Sequence, residues 1–149
     1  MNSNPINATQ DLVRKLLIYS KNKRLNEAEK LAISIMQKFP TSQFGWKALW
    51  AALQKNGKIR ESLSAIRKSV QLSSKDTKEH HSLGITLQRL ERFKEAVASF
   101  TKALVLKPDC YVASFKLGAI LQVLKRLEEA QQFDMIKLKK QKKLEKNTL

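Results

Sequence analysis

A chain of 149 residues with only four glycines and three prolines is long enough for one domain that buries about two-thirds of its unfolded surface, and its wealth of Ala, Leu, Lys and Gln favours helix throughout. Cys110 stands alone, which excludes an internal disulfide, and the longest apolar runs, such as Leu16 to Tyr19 and Ala103 to Leu106, are too short to cross a bilayer. No basic segment followed by an apolar one opens the chain, so a reducing cytoplasmic setting is expected, with the nucleus as the alternative. The formal charge of +16 suits acidic peptides, nucleic acid or anionic lipid heads, or simply a solvated surface.

Residues 1–8 are polar and aperiodic and read as a disordered tail. From there Leu12, Leu16 and Tyr19, then Leu25, Ala28, Ala32 and Ile35, recur at three- and four-residue spacing as one apolar stripe on each of two helices. Lys21 to Arg24 is the turn between them, Phe39-Pro40 closes the pair, and Thr41 or Ser42 offers a cap to the next helix. The next pair holds Trp46 and Trp50, four apart on one helical face, with Asn56-Gly57 at its turn. A third pair spans Thr77 to Cys110, and Pro108-Asp109 ends it with an Asp cap for its successor. A fourth pair starts at Tyr111, but its second helix places Asp134 and Lys137 where apolar residues are needed, so the array should stop there with that helix as its cap. The lysine-rich stretch 137–149 then reads as a fraying or disordered tail.

These units share one frame. In residues 77–110, His80, Leu83, Gly84, Leu87, Ala96, Phe100, Ala103 and Pro108 occupy positions 4, 7, 8, 11, 20, 24, 27 and 32 of a 34-residue unit. That spacing resembles the tetratricopeptide repeat (TPR) pattern W-x2-L-G-x2-Y…A-x3-F…P. Stepping the frame by 34 residues gives units at 9–42, 43–76, 77–110 and 111–144 without insertions. The resemblance implies an all-α, right-handed α-solenoid of four helix–turn–helix TPR repeats, with eight helices. Gly84 and Gly118 share position 8, where the paired helices should approach most closely, so Gly84→Leu is expected to overpack and Gly84→Ala to be tolerated. Position 19 carries Glu27, Glu61, Glu95 and Glu129, read as first-turn residues that suit the helix dipole. Trp50 at position 8 is read as filling space left by Ser62 and Ser69.

Catalytic chemistry finds no support: there is no CxxC, no glycine-rich phosphate loop and no nucleophile set, and adjacent His80 and His81 point about 100° apart on a helix. The reading is therefore a non-enzyme with no cofactor and no metal. Solenoids bind along an extended inner face, and the resemblance places first-helix positions 2, 5, 9 and 12 there. The expected peptide-binding groove comprises Val13 and Leu17; Phe44, Lys47 and Gln54; Lys78, His81, Ile85 and Gln88; then Phe115 and Gln122. Phe44 and Phe115 would be anchors, the lysines would steer an acidic-flanked protein or peptide, and the glutamines could bond its backbone. Two narrower family precedents fit in part. The clamp that holds chaperone tails aligns with Val13, Leu17, Ala48, Lys78 and Ser82, of which Lys78 matches. The run Leu83 to Ala96 is similar to the repeats of O-linked N-acetylglucosamine transferases and related bacterial glycosyltransferases, whose asparagine ladder is replaced by Arg14, Ala48, Ser82 and Lys116 and whose transferase domain is missing from this chain. The rival reading is a basic nucleic-acid-binding protein, separable by its steep log-linear salt dependence; attachment of the tail to an anionic membrane is a third.

Overall fold

The computed structural model describes residues 5–148, with the side chains of residues 5–9 and of Val13 outside that description. Seven helices, and no strand, occur among the described residues: α1 Pro5–Lys21, α2 Leu25–Lys38, α3 Gln43–Lys55, α4 Ile59–Leu72, α5 Thr77–Arg89, α6 Phe93–Leu106 and α7 Tyr111–Asn147. Residues 1–4 of the expected tail lie outside the described residues. Its remainder, Pro5–Ala8, is helical, because a proline in the first turn gives up an N–H that has no intrahelical partner anyway.

Three turns are built alike. The residue at position 15 is left-handed in each, with Lys23 at φ 57°, Gly57 at 75° and Glu91 at 58°. The next N–H then reaches back to close the preceding helix, Arg24 to the Tyr19 carbonyl, Lys58 to Leu53 and Arg92 to Leu87, each at 2.9 Å. This is the 6→1 closure of a Schellman motif. Glycine adopts that conformation freely, whereas Lys23 and Glu91 hold it at a cost of about 1–2 kcal/mol. Packing of the second helix has to outweigh that cost.

In the fourth unit it does not. Lys125 stands at position 15 inside one continuous 37-residue helix, so the expected turn and eighth helix do not form. Local sequence is not the cause, since Leu124-Lys-Arg-Leu-Glu-Glu-Ala130 closely parallels Leu90-Glu-Arg-Phe-Lys-Glu-Ala96. A folded-back second helix would press Asp134 and Lys137 where α6 presents Phe100 and Ala103, both fully buried. A charge there would be desolvated without a partner, and the helix runs on instead. Residues 125–147, with the lysine-rich stretch, are exposed throughout. Glu129 consequently lies mid-helix, while Glu27, Glu61 and Glu95 do occupy first turns.

Each helix packs on its neighbours in sequence around two apolar clusters. One gathers Ala32, Leu49, Ala52, Leu53 and Ala65; the other gathers Ile66, Leu83, Leu87, Phe100, Ala113 and Ile120. Trp50 packs against both and so joins them. Trp46 donates its indole N–H to the Pro40 carbonyl at 2.7 Å, which holds the Phe39-Pro40 corner. Ser42 caps α3, accepting from the Phe44 N–H. Asp76 caps α5 in the same way, whereas α7 starts at Cys110 with no side-chain cap, so Asp109 does not serve as one.

The two position-8 glycines differ. A Cβ on Gly84 would meet the Phe100 ring at 2.8 Å, whereas a Cβ on Gly118 would meet nothing within 4 Å. Close approach is real at Gly84 and absent at Gly118, where the helix that should cross is missing. Even alanine at Gly84 therefore crowds a fully buried ring, contrary to the expected tolerance. A second close approach escapes the repeat pattern: a Cβ on Gly45 would lie 3.0 Å from the Met36 Cα and 3.2 Å from the Phe39 carbonyl oxygen.

Candidate functional site

A polar seam joins the first helices of the second and third units, α3 and α5. Gln43 donates to Asp76 at 3.2 Å, and the Lys47 ammonium bonds Glu79 at 2.6 Å and Ser82 at 2.8 Å. Next in line, the Trp50 indole donates to the Thr86 hydroxyl at 2.8 Å, Gln54 donates to the same oxygen at 3.0 Å, and Thr86 donates on to the Ser82 carbonyl. The Gln54 carboxamide also donates to Ser62 and accepts from Arg89. Glu79, only 2% exposed, accepts from Ser69 as well, so both carboxylate oxygens are bonded.

This seam corrects two expectations. Lys47 is not a free steering cation, because its charge is spent on a buried carboxylate and its ammonium lies 4.9 Å from the Trp50 ring centroid. Gln54 is not available to a peptide backbone, since its carboxamide is engaged from both ends. Both belong to the joint between repeats. Glu79 at position 3 and Thr86 at position 10 carried no signal in the repeat pattern; polar residues two turns apart on one helical face, with a lysine and a tryptophan one repeat earlier, were the available hint.

Beside the seam opens a pocket of about 520 Å³ lined by Lys47 from α3, by Asp76, Lys78, His81 and Ser82 around the start of α5, and by Lys107, Cys110 and Val112 where α6 hands over to α7. Of the sequence-predicted residues it collects Lys47, Lys78 and His81. Phe44 and Phe115 do not line it: Phe44 is half-buried on α3, and Phe115 stands exposed on α7. Ile85 packs against the larger core cluster, Gln88 is half-buried, Leu17 and Gln122 are exposed on α1 and α7, and the side chain of Val13 lies outside the described residues. Lys107 was not foreseen, because it sits at the end of a second helix rather than on a first one.

The pocket favours anions. Lys78 and Lys107 are exposed and make no ion pair among the described residues. The one carboxylate at the rim, Asp76, is already bonded by the Lys78 N–H at 2.9 Å and by Gln43. His81 packs edge-on against Phe100 with centroids 5.6 Å apart, and its Nε2 is buried without a partner. Burial, then the charges of Lys116 and Lys47, push its pKa below the ordinary histidine value, so the ring is neutral at physiological pH. His80, by contrast, is a packed residue whose Nε2 lies 2.6 Å from the Ser74 carbonyl oxygen. Among the described residues no three His, Cys, Asp or Glu converge as a metal site, and no helix is long and apolar enough to cross a membrane.

Stacked helical hairpins closed by repeated left-handed turns and tied by a seam between first helices define an α-solenoid of the repeat class. Residues 80–110 match the family profile "Tetratricopeptide repeat", and solved TPR domains share the fold of the whole array. The first TPR of Spaghetti (RPAP3), solved with the HSP90 peptide SRMEEVD, superposes with a TM-score of 0.72 at 23% identity, covering 78% of this chain and 92% of that one. The first TPR domain of human RPAP3 gives 0.71 at 24%, covering 79% and 93%. The Arabidopsis OM64 TPR domain gives 0.68 at 22%, covering 76% and 93%. Identities this low speak for the fold alone. A search of curated proteins by sequence returns no significant match.

Proposed function

We propose that the protein is a non-catalytic interaction module that holds an acidic peptide segment along the face of its first helices, with a carboxylate seated between Lys78 and Lys107. The observation that carries this reading is the pocket itself: two lysines without an ion pair among the described residues, the N-terminus of α5 and the neutral His81 ring border about 520 Å³ of space, while the nearest carboxylates are bonded internally. A helix N-terminus and paired lysines both favour an anion. The HSP90 peptide held by the Spaghetti domain is acidic at its end, and a similar fold here lends the reading weight. Only Lys78 aligns with the chaperone-tail clamp, so the proposed grip differs, using Lys107 from the neighbouring connection. Apolar contact from Phe44 and Phe115 would come from residues flanking that carboxylate.

The test is fluorescence anisotropy of labelled acidic peptides, SRMEEVD among them, against the wild type and the pair Lys78→Glu with Lys107→Glu. Binding should fall at least tenfold in that pair and should fall again when Phe44→Ala and Phe115→Ala are combined. Unchanged binding in both variants, with loss on removal of residues 137–149 and a steep log-linear salt dependence, would replace the groove with the nucleic-acid reading that the charge of +16 suggests.

A further inference from the structure

The open end of the array presents a second surface. α7 keeps Ala113, Leu117, Ile120 and Leu124 against the larger core cluster. Its uncovered side, read at 100° per residue, is centred on Gly118, with Phe115 on the flank away from the core and Leu121 on the flank toward it, 76% and 49% exposed. Unit 3 shows what this geometry accepts. There Gly84, at the same repeat position as Gly118, is covered by the ring of Phe100, close enough that a Cβ would collide. At Gly118 the equivalent space is empty. The notch is therefore a seat for a large apolar side chain carried by a crossing helix, and the chain's own eighth helix would bring Asp134 to it. Further along the same side of α7 come Phe133 and Ile136, both more than half exposed, and then Lys140 and Lys143.

We infer that this side of α7 is the docking site of an acidic amphipathic helix from a partner protein, which seats a large apolar residue on Gly118 and sets its carboxylates against Lys140 and Lys143. Charge selects the occupant. Residues 137–149 hold six lysines against one glutamate, so an acidic helix gains attraction along the segment where a second copy of this chain, itself at +16, meets repulsion. The seat suits a helix, since Phe115, Gly118 and Leu121 follow at three-residue spacing and Phe133 and Ile136 do so again beyond the polar Gln122, Lys125 and Glu129, a spacing that a helix laid alongside can match.

The test uses the full chain and a stapled helical peptide with Phe and Leu on one stripe and glutamates beside it. Controls are the same peptide with Phe→Ser and one with lysines for glutamates. Gly118→Gln fills the seat in open space and should lower affinity at least tenfold without lowering the melting temperature, as should Lys140→Glu with Lys143→Glu; Lys78→Glu should leave it alone. The Phe→Ser and lysine peptides should bind at least tenfold more weakly. Equal binding by Gly118→Gln, or by the Phe→Ser peptide, overturns the inference in favour of plain electrostatic attraction. A peptide-free dimer in sedimentation that Gly118→Gln abolishes assigns the face to a second copy and overturns it too. So does a spin-label distance from position 114 to position 139, with Cys110 replaced, far below the about 38 Å of a straight helix, because the chain would then cover the seat itself.

Discussion

The Lys47 ammonium sits 2.6 Å from the Glu79 carboxylate across the joint between the second and third repeats, and Glu79 is almost wholly buried. A pair of this kind adds little net stability over an apolar one, but removing one partner leaves the other charge desolvated. Lys47→Met should therefore destabilise the fold by about 3 kcal/mol, read as a lowered urea midpoint. Adding Glu79→Gln should recover most of it, because the neutral amide leaves no unpaired buried charge and keeps the bond to Ser69 within reach. If the single and double variants unfold at the same urea concentration, the pair does not act as a unit.

The position-8 glycines should respond oppositely to alanine. Gly84→Ala drives a methyl against Phe100, which is boxed in on all sides, and should cost about 1–3 kcal/mol by overpacking. Gly118→Ala enters open space and should gain up to about 1 kcal/mol from helix propensity. Gly45→Ala should side with Gly84, since it meets backbone atoms that cannot rotate away. Thermal melts of the three variants decide, and equal shifts at 84 and 118 would contradict the missing eighth helix.

His81 provides a pH signature. Its pKa is lowered in the folded state by burial and by Lys116 and Lys47, so the unfolded chain binds the proton more readily. The contribution is neutral above the unfolded value near 6.5 and becomes destabilising as pH falls through it, levelling off below the folded pKa. His81→Phe should flatten the fall in stability that sets in as pH drops below the unfolded histidine value near 6.5. A ligand carboxylate in the pocket would draw the ring's pKa back up, so the imidazole titration followed by NMR should move to higher pH on adding an acidic peptide and stay put on adding a neutral one.

Much of this fold is legible because a repeat writes the same instruction several times. Ala28, Ala32 and Ile35, or Ala96, Phe100 and Ala103, recur in one frame, and the stripe fixes both helix identity and the buried face. What stays hidden is whatever depends on two units at once. Lys47 looks like a groove cation until Glu79 is brought beneath it, and Gln54 looks free until Ser62, Thr86 and Arg89 close around it. Lys107 enters the pocket only through the path of the α6–α7 connection. The fate of α7 is the sharpest case, for its turn sequence reads like that of the third unit, and only the absence of a packing partner undoes it.

That absence can be reversed. In the third unit, burial of Phe100 and its neighbours against Gly84 outweighs the left-handed Glu91, since one fully buried aromatic side chain contributes about 1.5–3 kcal/mol against about 1–2 kcal/mol for the backbone. The fourth unit keeps the turn sequence and the open glycine but offers Asp134 and Lys137 in place of Phe100 and Ala103. Asp134→Phe with Lys137→Ala restores the apolar pair, and adding Lys125→Gly removes the backbone cost altogether. The triple variant should fold residues 128–141 back as a separate eighth helix seated on Gly118. Spin labels at positions 114 and 139, with Cys110 replaced, should then move from about 38 Å apart in the straight helix to the about 10–20 Å of two packed neighbours. Melting should rise, and the acidic helix proposed for this surface should lose its seat. If the labels stay far apart in the triple variant, the charges of Asp134 and Lys137 at positions 24 and 27 are not what keeps α7 straight.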